Sequence, residues 1–150
     1  MISHVQCGDS YTGDLTYYSE WKGNAGSCGL ERSKSDPYYV TALSKFFMKL
    51  PPGETSSNNH PLCKPDKCVE IKGSLGTVQL KISDTCEGCA DYDVDVADEI
   101  YPKLEDPNKD GVKVSWKFVN CSLLENLEQP KKMASAIYTK SSWTQWIFNQ

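Results

Sequence analysis

Two sets of side chains in this 150-residue sequence have the type and spacing for chemistry. The first is seven cysteines: Cys7, Cys28, Cys63, Cys68, Cys86, Cys89 and Cys121. That density in a short chain points to an oxidising compartment, because cytosolic thiols are held reduced. Zinc is the competing use, and it asks for paired CxxC motifs or for histidines at ligand spacing. Only Cys86-Glu87-Gly88-Cys89 has the CxxC form; four residues separate Cys63 from Cys68, and His4 and His60 stand at ligand spacing to no partner. Disulfides are the stronger reading, and neither a metal nor a cofactor is expected. The count is odd, so one thiol is left over. Cys7, near the start, is the expected one, free or paired with another chain. The second set is a pair of carboxylates, Asp84 and Asp95. A carboxylate can accept from a hydroxyl or, when protonated, deliver a proton to an oxygen. Asp84 follows an alternating strand and Asp95 opens a helix-like stretch, so the two can meet at the lip of one groove. Each also has an ordinary structural use, Asp95 as a helix cap and Asp84 as the anchor of a turn.

The elements that must hold these residues are mostly strands. Leu15-Thr16-Tyr17-Tyr18 is β-branched and aromatic and follows the turn-prone Gly13-Asp14. Tyr38 to Leu43 follows Asp36-Pro37, and Cys68 to Lys72 alternates into Gly73. Thr77 to Ile82 alternates with Val78, Leu80 and Ile82 on one face. Val112 to Phe118 alternates with Val112, Val114, Trp116 and Phe118 inward, which makes Trp116 a core residue. Residues 51–66 are rich in Pro, Ser, Asn and Gly and read as a surface loop. Asp95 to Leu104 carries apolar residues at helical spacing, cut short by Pro102. Many short strands, Gly-rich turns and one small helix predict a mainly β barrel or sandwich in a single domain. Residues 122–150 end in Ser142 to Phe148, where two tryptophans and a phenylalanine are expected to pack on the barrel as a strand or clasp, or else to form a flat platform for sugar rings.

Charge and hydropathy exclude two classes of partner. The formal net charge is -4 and Lys131-Lys132 is the only basic pair, which argues against a nucleic-acid binder. No apolar run approaches the roughly 20 residues that span a bilayer, so no membrane partner is expected. Met1-Ile2-Ser3-His4-Val5 is too polar and short for a signal peptide, and Met1 reads as native or as an expression start replacing a removed leader.

Five stretches, in order, resemble the barrel of the expansin and rare lipoprotein A-like family. They are Gly13 to Tyr18 followed by Ser27-Cys28-Gly29; Asn59-His60-Pro61-Leu62-Cys63; Val78 to Cys89; Tyr92 to Val96 followed by Ile100-Tyr101 and Leu104; and Val112 to Cys121. Single-domain fungal loosenins are nearest in layout, with barwin and rare lipoprotein A more distant. The sequence departs from the pattern at Ala97, where the family carries Ser, and at Pro102 inside the short helix; residues 122–150 are too few to fold as the immunoglobulin-like second domain of expansins, so a two-domain expansin is not expected.

The resemblance implies a disulfide-braced, six-stranded double-psi β-barrel with one or two short helices over residues 13–121. Residues 1–12 would be an N-terminal extension and residues 122–150 a C-terminal aromatic extension packed on the barrel. The barwin pattern implies that Cys68 pairs with Cys121, and that Cys28 and Cys63 pair with Cys86 and Cys89 in some order. A Cys86–Cys89 bond, as in thioredoxin-like proteins, is the alternative. The family also implies roles: Asp95 as the essential acid, Asp84 as the second matching carboxylate, Thr16 and Tyr18 as polar groove residues. Tyr17, Trp21, Tyr38 and Tyr39 are candidate sugar platforms, and Asp93 is expected to be a solvated charge. Hydrolysis needs a second carboxylate as base or nucleophile. The family's position for it falls on Glu20, which follows Ser19 where the hydrolytic members carry Trp.

The expected protein is therefore secreted and monomeric, and it binds and loosens cell-wall polysaccharide (cellulose, chitin or peptidoglycan) without clear hydrolysis. The alternative is a protein-interaction module, a protease inhibitor or host-pathogen effector, acting on a host protein through loop 51–66 or the tail. A weak lytic transglycosylase or endoglucanase-like enzyme is the remaining reading.

Overall fold

The computed structural model describes residues 9–19, 24–30, 39–109 and 111–121. Cys7, Glu20, Trp21, Tyr38 and the expected extension 122–150 lie outside them. Six strands, β1 (Ser10–Tyr18), β2 (Val40–Ser44), β3 (Lys67–Lys72), β4 (Thr77–Cys86), β5 (Val94–Ala97) and β6 (Lys113–Asn120), close into a barrel in the order β1-β5-β2-β4-β3-β6. β1 runs parallel to β5 and β2 parallel to β4, while the other four neighbours are antiparallel. This is the double-psi β-barrel, and closure leaves no unpaired sheet edge.

Side-chain alternation fills the barrel. Val114, Trp116 and Phe118 of β6, Val69 and Ile71 of β3, Leu80 and Ile82 of β4, and Val94 and Val96 of β5 are all buried. Leu15 of β1 and Leu43 of β2 join them. Trp116 is core, as its place in the alternation predicts, and its indole N–H donates to the Tyr92 carbonyl at 2.8 Å. β1 begins at Ser10, inside the stretch 1–12 expected as an extension, because Tyr11 packs its ring against Phe47, Tyr92, Trp116 and Phe118. Gly13 is required where the chain before β5 crosses β1: a Cβ there would lie 2.0 Å from the Tyr92 carbonyl oxygen.

Two short helices sit at opposite ends of the barrel. α1 (Lys45–Met48) follows β2 directly, and α2 (Tyr101–Leu104) follows β5. α1 was not anticipated; it turns Phe47 and Met48 into the core. The helix expected from Asp95 onward is only α2, and Asp95 lies in a strand instead of capping a helix. The β-branched Val94 and Val96 fit a pleated, doubly paired position, with β1 on one side and β2 on the other, and that pairing overrides the short helical pattern. Loop 51–66 carries two 3-10 turns, Ser57–Asn59 and Pro61–Cys63, and the His60 ring ties the second in place by accepting from the Leu62 amide at 3.0 Å.

Six cysteines form three disulfides: Cys68–Cys121, Cys28–Cys63 and Cys86–Cys89. The first is the pair that the barwin pattern implies. The other two correct the expected cross-pairing. The Cys28 amide bonds to the Ser83 carbonyl, which sets the loop 24–30 beside the turn holding Cys63, while Cys86 and Cys89 close on each other across a tight turn at the end of β4.

Candidate functional site

One row crosses β1, β5, β2 and β4 on the face away from Leu15, Val94 and Leu43; Thr16 in it is exposed, Asp84 and Asp95 are half-buried, and Ala42 is buried. Thr16 is opposite Asp95, Asp95 is opposite Ala42, and Ala42 is opposite Asp84. The Thr16 hydroxyl donates to Asp95 Oδ1 at 2.7 Å. Asp84 and Asp95 are separated by one intervening strand, so their backbones stand about 10 Å apart, with the small Ala42 between them.

Asp84 reaches this row through a bulge. Thr41 lies opposite Ile82 but Ala42 lies opposite Asp84, so Ser83 is the extra residue. Simple alternation from Leu80 and Ile82 would turn Asp84 into the core; one inserted residue exchanges the faces. Asp84 also has a structural duty. Its Oδ1 accepts from the backbone amides of Ser27 at 2.9 Å and Thr85 at 2.8 Å, which anchors the loop 24–30. Gly26 is needed there, at φ +70°, because a Cβ would meet the Ser83 carbonyl oxygen at 2.3 Å.

The remaining expected residues divide. Tyr17 is exposed and rests edge-on against Tyr101 of α2 at 5.3 Å. Tyr18 and Tyr39 are half-buried against the core. Asp93 is not a solvated charge: its two oxygens accept from the amides of Asp14 at 3.0 Å and Ala90 at 2.9 Å, holding the turn before β5 against β1. Among the described residues no cluster of three or more His, Cys, Asp or Glu could hold a metal, and no helix is long and apolar enough to cross a membrane.

Two exposed apolar features were not anticipated. At the α1 end, Phe46 and Tyr92 continue the internal aromatic cluster onto the surface, packing edge-to-face at 5.7 Å. Tyr11 beneath them has its phenol pKa raised above 10.0, chiefly by burial and then by Asp9. At the α2 end, Leu75 sits at the tip of the β3–β4 hairpin. The signal for it is legible in retrospect: a leucine in the glycine-bounded turn Gly73-Ser74-Leu75-Gly76 cannot face a core from a hairpin tip. Near this end the Lys113 ammonium pairs with Asp14, a bond that raises its pKa above 10.5.

No protein-family model matches the chain. The papain inhibitor of Streptomyces mobaraensis is 29% identical over 118 residues, 77% of this chain and 76% of that protein. The solved Streptomyces papain inhibitor superposes with a TM-score of 0.62 at 30% identity, covering 77% of this chain and 98% of that one. An expansin of Clavibacter michiganensis superposes with a TM-score of 0.53 at 23% identity, and a variant of it in complex with cellohexaose with 0.50 at 21%. This chain spans about half the length of either expansin, and the likeness is one of fold. None of these relatives is fungal or a loosenin. The chain belongs to the family of the Streptomyces papain inhibitor, and it shares the double-psi barrel fold with expansin.

Proposed function

We propose that this protein is a protein-binding module that inhibits a cysteine protease of the papain class, acting in an extracellular, oxidising setting. The observation that carries the reading is the extent of likeness to the Streptomyces papain inhibitor, 30% identity across 98% of that chain. The architecture suits the task. An inhibitor must present a fixed surface and resist local opening, since proteases cut what transiently unfolds. A closed barrel braced by three disulfides meets both needs. The test is to titrate the purified protein into papain and follow hydrolysis of a small peptide substrate. Saturable loss of activity, with the inhibitor recovered uncut, is expected. Full papain activity in molar excess of the protein, or steady digestion of it, ends the reading.

A second reading, a polysaccharide binder that loosens wall polymer, draws on the row Thr16–Asp95–Ala42–Asp84. Thr16 orients one carboxylate at an accessible position, with the other two strands away on the same face. Retention on insoluble cellulose, chitin or peptidoglycan that is lost in Asp95→Ala would favour it. Equal behaviour of parent and variant on all three would remove it.

A further inference from the structure

We propose that the α2 end of the barrel, with the Gly73–Gly76 turn at its tip and Leu75 as the leading side chain, is the face that enters the protease cleft. The inference rests on the inhibitory reading above and names the surface that performs it.

Leu75 is 61% exposed and Tyr17 is 59% exposed, the two most exposed large apolar side chains among the described residues. Both are seated on α2. Tyr17 rests on the Tyr101 ring, and the Leu75 amide donates to the Leu104 carbonyl at 2.9 Å. Tyr101 and Leu104 are one helical turn apart, so the Tyr17 ring and the Leu75 backbone both rest on a single short helix.

The hairpin tip is held with little freedom. The Gly73 amide donates to the Gly76 carbonyl at 2.9 Å. The Ser74 amide and hydroxyl donate to the two oxygens of Glu105, each at 2.6 Å. Glu105 is a buried carboxylate, and burying a charge is costly unless it is fully bonded. Here both of its oxygens serve one turn residue. The contact is also tight in the backbone: a Cβ on Gly73 would lie 2.2 Å from the Leu104 carbonyl oxygen, and one on Gly76 would lie 3.1 Å from that of Lys103. The turn and the end of α2 are therefore a single rigid body.

Such a tip fits a cleft better than a flat partner. Proteases bind extended backbone and take side chains one to a pocket. Gly73, Ser74 and Leu75 all direct their amides into this protein's own bonds, so the turn cannot open into an extended strand as a substrate does. It offers an apolar side chain for a pocket and withholds the extended strand that cleavage needs. Rigidity before contact reduces the ordering cost of binding. The exposed pair at the other end, Phe46 and Tyr92, lies on a ring cluster continuous with the core, and the Cys86–Cys89 turn at that end exposes Glu87 and Gly88, which offer no apolar side chain for a pocket.

The experiment compares papain inhibition by the parent, Leu75→Glu and Phe46→Glu, with thermal melts to confirm that all three fold. Leu75→Glu is expected to weaken inhibition about 30-fold or more, the effect of a hot-spot loss, at unchanged melting temperature. Phe46→Glu is expected to inhibit like the parent. Amide exchange in the complex with papain should slow at residues 74–77. If Leu75→Glu inhibits as well as the parent, or if Phe46→Glu is the variant that fails, the assignment to the α2 end is wrong while the inhibitory reading stands. If the parent itself leaves papain untouched, that reading falls and the assignment with it.

Discussion

The two ends of the barrel are stabilised by different means. At the α1 end, β4 closes with the Cys86–Cys89 turn, Cys68 at the start of β3 bonds Cys121 after β6, and Cys28 bonds Cys63 in the turn ahead of β3. The same end holds the aromatic cluster of Tyr11, Phe47, Trp116 and Phe118. At the α2 end there is no disulfide among the described residues. Its order comes from hydrogen bonds to one buried carboxylate, Glu105, and from close backbone approach at Gly73. Covalent links act chiefly on the unfolded chain and make the whole barrel harder to open. A hydrogen-bonded clamp sets the shape of a local surface. The contrast separates a part that keeps the molecule folded from a part whose conformation is itself the product.

The largest effect expected of this contrast is at the α1 end. Replacing Cys68 and Cys121 together by Ala opens a loop of 53 residues, and chain entropy predicts a loss of about 4 kcal/mol. The same replacement at Cys86 and Cys89, with a separation of 3, should cost less than about 2 kcal/mol. Denaturant unfolding measures both, and a reversed order would break the contrast.

An intermediate effect is expected at the other end. Glu105→Ala leaves the Ser74 amide without its partner and should cost about 1–3 kcal/mol. Its sharper signature is local. Exchange of the amides of residues 73–76 should accelerate well before that of β3 or β6, and uniform acceleration across the barrel would mean that Glu105 is not a local clamp.

The smallest effect is a pH dependence in which both ends take part. Tyr11 has a folded pKa raised above 10.0 by burial, and Lys113 one raised above 10.5 by its bond to Asp14. A folded pKa above the unfolded value means that the folded state holds its proton more tightly. The contribution is complete below the unfolded pKa and is lost as pH rises through the folded one. The melting temperature should therefore decline slightly above about pH 10. Tyr11→Phe and Lys113→Met should each flatten that decline, and an identical profile in the double variant would exclude these groups as its source.

Much of the barrel was legible along the chain. Val114, Trp116 and Phe118 announce a half-buried strand through period-two alternation, and so do Val69 and Ile71. The carboxylates were found as residues but not in their settings. Asp95 reads as a helix cap because the residues after it have helical spacing, yet parallel pairing with β1 places it in a strand. Asp84 reads as the end of a strand, and only the bulge at Ser83 turns it outward. Asp93 reads as a free charge because its partners, the amides of Asp14 and Ala90, are ones that no sequence pattern marks as near. The clamp at Glu105 stayed hidden for a similar reason, since Ser74 lies 31 residues away.

The sequence by itself determined the class of molecule: alternating apolar strands require a β core, and six cysteines within the barrel segment require covalent bracing. Tertiary structure alone decided that Cys28 meets Cys63, which face Asp84 takes, and that a leucine between glycines is held rigid. Each of these depends on contacts between residues distant along the chain, and a local pattern carries no information about which distant backbone will arrive beside it.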